Sequence, residues 1–382
     1  MPVIRTLCLA LLFLGSFALG RSQEKGPVPN QQRPLLQVDL RKYGFTPLAS
    51  GRSDVLSLDF VNDRLLVFAW TTLDNPADKK KGNLPAVASH LHAIFLDADT
   101  GQKQDQRDWP STSFYASLHA VGEGKLLSCT GNAVRLLSRE FETLREQSLA
   151  GPNSCIQLQV SLSKRSFAIA DGLGMDTPHT LMDSETFAPR AKWNTDVRSV
   201  VFTDTLLVGN SRSGNELQIR KLDQPWEPFH FAALEQHPQP SRPERAFFIG
   251  DSTLLIANGK ELSVVSVNGA VVFRINPLGK LFEGSRVTSI GGETFAVLQM
   301  KMRGLRNENL DMYPFASDDS VVVYSLAARK EIWSIKLRGN SPVPTLTPHD
   351  YKNQLALSPT GRFIAIVNDG ILKVYQIPEA KS

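Results

Sequence analysis

The chain has 382 residues, 42% of them hydrophobic and 21% charged, a balance that fits a globular protein and excludes a low-complexity or fibrous one. Its 42 basic residues are interspersed with 38 acidic ones and the formal net charge is only +4, so composition gives no electrostatic footprint for nucleic acid. The one basic run, Lys79-Lys80-Lys81, sits among Asp74, Asn75, Pro76, Asp78, Gly82 and Asn83 and reads as a solvated loop tip.

In chain order, the first element is an address. Arg5 precedes an apolar run from Leu7 to Leu14, and Ala18 and Gly20 are the small residues at −3 and −1 of a cut after Gly20. The run is shorter than the ~20 residues a membrane-spanning helix needs, and no later stretch approaches that length. The expectation is a cleavable signal peptide over residues 1–20, no transmembrane segment, and export to the periplasm or beyond. Residues 21–33 are polar, carry Gly26, Pro27 and Pro29, and read as a disordered leader. Two cysteines remain after the cut, Cys129 and Cys155. In an oxidising compartment they pair if their Cα atoms lie within about 7 Å; the alternative is two small buried apolar side chains.

From residue 34 the pattern changes. Short runs rich in Val, Ile, Leu and Phe alternate with Gly, Asp, Asn and Ser, and no long helical stripe occurs. The runs group in fours: 55–60, 64–70, 91–97 and 103–109; 117–121, 125–129, 133–138 and 143–149; a third set running from Ile156 through 167–170 and 180–183 to 190–193; 199–203, 206–210, 217–222 and 228–231; 246–249, 253–258, 261–267 and 270–275; 287–290, 294–300, 320–326 and 332–337. Third strands recur every ~40–60 residues, a blade-like period. The last set, 354–358, 362–368 and 371–377, has only three strands, whose open edge would expose unpaired backbone groups. Residues 35–40, Leu-Leu-Gln-Val-Asp-Leu, are the one unclaimed strand. The simplest solution is an all-β seven-bladed propeller over 34–378, closed by this N-terminal strand; six or eight blades follow only if a set has been split or merged.

The segment Ala356-Leu357-Ser358-Pro359-Thr360-Gly361-Arg362-Phe363-Ile364-Ala365 resembles the strand–turn–strand of WD40-like and YVTN-type bacterial β-propellers, with Thr360 where their Asp usually stands. Ser161 to Ala170 is a weaker echo. Asp97-Ala98-Asp99-Thr100-Gly101 before Trp109 resembles the hairpin of quinoprotein propellers, although Trp109 falls later than in that family; Trp193 and Trp333 stand in degraded copies. In such repeats these residues lock blade to blade, and no cofactor is expected. The superfamily hosts many functions, so the resemblance implies fold and little else.

The longest insertions fall in two b–c loops, 73–89 in the first blade and 303–319 in the sixth, and in the d–a connections 232–244 and 338–350. Blades 6, 7 and 1 are neighbours in a closed ring, so three of these four loops share one sector of one end. Long loops in compact folds are usually functional or mobile. Arg303, Arg306, Asn309, Asp311 and Tyr313, with His349 and Asp350, are the candidate ligand-binding residues, suited to a protein, peptide or glycan. His90 and His92 share one face of a strand, with His119, Asp97, His349 or Asp350 as a third group, but the pair alone does not make a metal site. Neither Gly-x-Ser-x-Gly nor His-Glu-x-x-His occurs, and no catalytic set converges. The reading is an exported binding module; the alternative is a lactonase-like propeller hydrolase with its site at the channel mouth.

Overall fold

The computed structural model describes residues 33–46, 53–73, 89–111, 116–149, 158–170, 178–193, 197–211, 217–229, 245–258, 261–275, 280–288, 293–303, 315–337 and 355–379. By internal contacts the chain divides into Met1–Arg33 and Pro34–Ser382. The second unit is a seven-bladed β-propeller of antiparallel four-stranded sheets.

The closing strand β1 (Leu36–Asp39) comes first. Blade 1 follows with β2 (Ser53–Asn62), β3 (Leu65–Leu73), β4 (Ser89–Asp97) and β5 (Lys103–Ser111). Blade 2 holds β6 (Ala116–Ala120), β7 (Leu126–Thr130), β8 (Ala133–Leu137) and β9 (Thr143–Ser148). Blade 3 holds β10 (Gln159–Val160), β11 (Ser166–Ala170), β12 (His179–Asp183) and β13 (Pro189–Trp193). Blade 4 holds β14 (Val197–Phe202), β15 (Leu206–Ser211), β16 (Leu217–Lys221) and β17 (Glu227–Pro228). Blade 5 holds β18 (Arg245–Gly250), β19 (Thr253–Asn258), β20 (Glu261–Ser266) and β21 (Val271–Ile275). Blade 6 holds β22 (Lys280–Thr288), β23 (Thr294–Arg303), β24 (Phe315–Ser325) and β25 (Lys330–Leu337). Blade 7 is β26 (Leu355–Leu357), β27 (Phe363–Asn368) and β28 (Ile371–Gln376), with β1 on its outer edge.

The closure expected from residues 35–40 is present. Leu36 pairs with Val374, Gln37 with Lys373, Val38 with Leu372 and Asp39 with Ile371. Beyond the ladder, Leu35 N donates to Val374 O at 2.8 Å and Leu40 N to Gly370 O at 2.9 Å. The strand stops at Asp39, whose carboxylate accepts from Arg41 N at 3.0 Å and caps a 3-10 turn over Leu40–Tyr43.

The core is distributed over the seams between blades, because each central strand buries both faces. In β3, Leu65, Val67 and Ala69 pack toward blade 2, whereas Leu66, Phe68 and Trp70 pack toward blade 7 and the closing strand. In β27, Ile364 and Ile366 face blade 6 while Ala365 and Val367 face blade 1. Each of the seven seams carries its own apolar cluster, including the one that joins Leu36, Val38 and Leu40 to Phe68, Trp70 and Leu96. Near-continuous apolar runs such as Leu65 to Trp70 follow from this two-sided burial.

The outer strands carry the seam-sealing tryptophans. Trp109 meets Phe141 of blade 2 edge-on at 5.1 Å, Trp193 lies 6.4 Å from Phe202 of blade 4, and Trp333 lies 5.4 Å from Tyr375 of blade 7. The blade-to-blade role implied for these three residues is therefore observed.

Two expectations need adjustment. Blade 6 is longer than its apolar pattern indicates, with β22 beginning at Lys280 rather than at 287 and β24 beginning at Phe315 rather than at 320. Polar side chains continue that hairpin because its backbone ladder, not its hydrophobicity, sets its length. Conversely, β10 and β17 are only two residues each, shorter than the runs that suggested them.

Candidate functional site

A four-stranded meander places its b–c and d–a connections at one end of the ring and its a–b and c–d turns at the other. At the first end, the b–c hairpin of blade 1 closes on the Leu73–Ser89 rung and that of blade 6 on the Arg303–Phe315 rung. Arg303 and Phe315, expected in a loop, are thus paired strand residues at the base of it. Arg306, Asn309, Asp311, Tyr313, His349 and Asp350 lie outside the described residues, as does the rest of both insertions. Cys129 on β7 is fully buried and disulfide-bonded, and Cys155 lies outside the described residues.

The structure does describe a polar cluster at that end of blade 1. Register places Trp70 of β3, His92 of β4 and Asp108 of β5 side by side. His92 Nδ1 lies 2.6 Å from Asp108 Oδ1, and His92 Nε2 lies 2.8 Å from Thr72 Oγ1. The imidazole stacks on the Trp70 indole at 5.1 Å and 19°, with His90 at 6.2 Å on its other side. Trp70 in turn stacks on Phe68, and Phe45 meets both rings edge-on. Both nitrogens of His92 are therefore engaged by protein groups. Among the described residues no group of three His, Cys, Asp or Glu side chains could hold a metal ion. Thr72 and Asp108 carry no motif; only their register with His92 reveals them.

A second cluster lies at the opposite end. Lys164 of the blade 3 a–b turn reaches Asp59 of blade 1, Nζ to Oδ1 2.7 Å, and also donates to Phe60 O at 3.2 Å. The other Asp59 oxygen accepts from Ala120 N of blade 2 at 3.1 Å. One carboxylate thereby ties three blades. Burial holds the neighbouring His119 imidazole below its ordinary value; Asp59 opposes that shift and Lys164 adds to it. Beside this tie, Asp204 of blade 4 accepts from Ser161, Ser163 and Ser166 of blade 3 at 3.2, 2.7 and 2.9 Å. Asp63 of blade 1 accepts from Thr360 of blade 7, N at 3.3 Å and Oγ1 at 2.7 Å. These contacts fasten neighbouring a–b turns to one another.

The aspartates of the quinoprotein-like hairpins are likewise structural. Asp97 Oδ1 accepts from Thr100 N, Thr100 Oγ1 and Asp99 N at 2.7, 2.9 and 3.0 Å, and the Thr100 amide and hydroxyl bonds hold its carboxyl below the usual range. Burial pushes Asp183 up, but bonds from Thr186 and Glu185 outweigh it and leave the carboxyl low.

The ring of seven sheets, the seam clusters and the strand shared between the chain ends decide the architecture. The fold is that of the WD40-like β-propellers. Solved structures agree with this assignment. A chain of a mitotic checkpoint complex aligns with a TM-score of 0.51 at 14% identity, covering 91% of this chain and 96% of its own. The WD40 domain of Toxoplasma gondii coronin aligns with a TM-score of 0.50 at 11% identity, covering 92% and 85%. Kluyveromyces lactis Hsv2 reaches a TM-score of 0.49 at 9% identity, covering 86% and 98%, and carries no argument here. No protein-family model and no protein of curated function matches the sequence. At such identities the WD40-like likeness establishes architecture alone.

Proposed function

We propose that this WD40-like propeller is an exported binding module whose ligand, a protein, peptide or glycan, is held by the b–c and d–a connections of blades 6, 7 and 1. The observation that carries this reading is the shape of blade 6. Its b–c hairpin is built from strands of ten and eleven residues, whereas β26, β27 and β28 next to it have three, six and six. Beyond Met300 the ladder continues to Arg303, and each added rung carries the hairpin ~3.4 Å farther out. A paired stem of this kind presents residues 304–314 at low entropic cost, and preorganisation of that sort favours binding. Arg306, Asn309, Asp311 and Tyr313 supply charge, hydrogen-bonding groups and an aromatic face there, with His349 and Asp350 on the adjoining connection.

Export has its own support. The Arg5, apolar-run and Ala18/Gly20 pattern fits a signal peptide, and Cys129 is oxidised, as an extracytosolic compartment allows. Cys155 is its proposed partner.

The test is a peptide and glycan array probed in parallel with the wild-type protein and with a variant lacking residues 305–313. Signals present for the wild type and lost in the variant are expected. Equal signals from both would remove the blade 6 loop from the site.

A further inference from the structure

The Thr72–His92–Asp108 cluster sits apart from any contact the binding reading needs, and its order is chemically directional. An ionised carboxylate only accepts hydrogen bonds. The 2.6 Å contact to Asp108 therefore fixes the imidazole proton on Nδ1. In the neutral ring Nε2 is then the acceptor, and the Thr72 hydroxyl 2.8 Å away is its donor. Stacking on the fully buried Trp70 indole holds the ring plane. Adjacent strands β3, β4 and β5 supply the three side chains, so a rigid sheet sets their spacing. The His92 and Asp108 side chains are 20% and 49% exposed, so the cluster is reachable from solvent. The same stack holds a second anomaly: Trp70 Nε1 is buried without a hydrogen-bond partner. A desolvated donor left without an acceptor is costly, by ~1–3 kcal/mol.

We propose that Thr72, His92 and Asp108 form an acyl-transfer relay acting on small activated esters or lactones. A hydroxyl bonded to an imidazole whose other nitrogen is held by a carboxylate is the arrangement that activates an alcohol nucleophile. Thr72 Oγ1 forms a bond to the acyl carbon as its proton passes to His92 Nε2. The acyl carbon–oxygen bond of the ester or lactone then breaks, and the departing oxygen takes that proton. Water attacks the Thr72 ester by the same route, with His92 again accepting and returning the proton, and releases the free acid. Thr72 and His92 are the catalytic groups. Asp108 is a positioning residue that fixes tautomer and ring orientation.

The test uses the full-length protein and an alkyne-bearing β-lactone, with intact-mass and peptide mass spectrometry. The expected result is a single adduct on Thr72 of the folded protein, lost on heat denaturation and absent in Thr72→Val and His92→Gln. Thr72→Ser, which keeps the hydroxyl, restores labelling. Asp108→Asn slows labelling by ~100-fold or more and changes its pH profile, whereas Asp108→Glu recovers part of the rate. Circular dichroism of each variant separates lost chemistry from lost folding. No adduct on the folded wild type, or equal labelling in a folded Thr72→Val variant, overturns the proposal.

Discussion

Gly101 shows how one residue accommodates ring closure. The c–d turns of blades 1, 2, 3, 5 and 6 each place one residue in the left-handed region: Gly101, Phe141, Phe187, Gly269 and Arg329. In blade 2 that residue is a buried phenylalanine whose ring lies 5.0 Å from Phe95 and 5.1 Å from Trp109 of blade 1. In blade 1 the equivalent space is taken by the closing strand, and a Cβ on Gly101 would lie 2.7 Å from Leu36 Cδ1 and 2.7 Å from Val38 Cγ2. Gly101→Ala therefore meets both left-handed strain of ~1–2 kcal/mol and a clash with the strand that completes blade 7. Gly44, also left-handed but with nothing within 4 Å of a Cβ, is the internal control. Urea denaturation should show a larger loss for Gly101→Ala than for Gly44→Ala, by ~1–3 kcal/mol from the overpacking. Equal losses would mean that the closing strand does not press on this turn. Lys164 presents the reverse case. It occupies, at φ 63°, the turn position that Gly361 fills at φ 72° in blade 7, and the left-handed strain coexists with its ion pair to Asp59.

At the scale of the element, β1 has a short ladder but buries much of a seam. Four paired residues deliver Leu36, Val38 and Leu40 into the cluster between blades 7 and 1. Truncating a single buried leucine costs ~2–5 kcal/mol, so losing all three approaches the ~5–15 kcal/mol that holds a typical domain folded. Deleting residues 35–40 should abolish cooperative thermal unfolding or lower the midpoint by tens of degrees. A melting curve unchanged by the deletion would show that the ring holds without its shared blade. The remaining outer edges are managed differently. β9 carries Arg145 and Glu146, β17 ends in Pro228, and β25 carries Lys330, Glu331 and Lys336, residues that discourage pairing with another chain.

At the scale of the whole molecule, the Asp59–Lys164 tie and His119 make ring stability pH-dependent. The folded protein holds His119 below its ordinary value of 6.5, so between that value and the depressed one the unfolded chain binds the proton more readily. The contribution of His119 is fully present above about pH 6.5 and is lost as pH falls toward the folded value. Unfolding free energies measured from pH 8 to pH 5 should decline on the acid side, more steeply for the wild type than for His119→Gln. Parallel curves for the two proteins would remove His119 as the titrating group. The groups that face it, Asp59 and Lys164, lie on blades 1 and 3, so its protonation acts on the contact that binds three blades together.

The sequence by itself determined the architecture, because strand periodicity, turn residues and an incomplete last repeat are local patterns that survive without coordinates. The count of one strand, six sets of four and a final three left a single way to cover the open edge, and Leu36 to Asp39 cover it. Local apolar pattern misjudged the ladder of blade 6, since polar residues such as Asp318 and Asp319 pair through backbone groups that carry no hydrophobic signal. Only the tertiary structure brought together Thr72, His92 and Asp108, which depend on the register of three strands, and Asp59 with Lys164, 105 residues apart in sequence and joined through the curvature of the ring. A site made by register and closure has no linear motif, because the distances that define it exist only once the strands are paired.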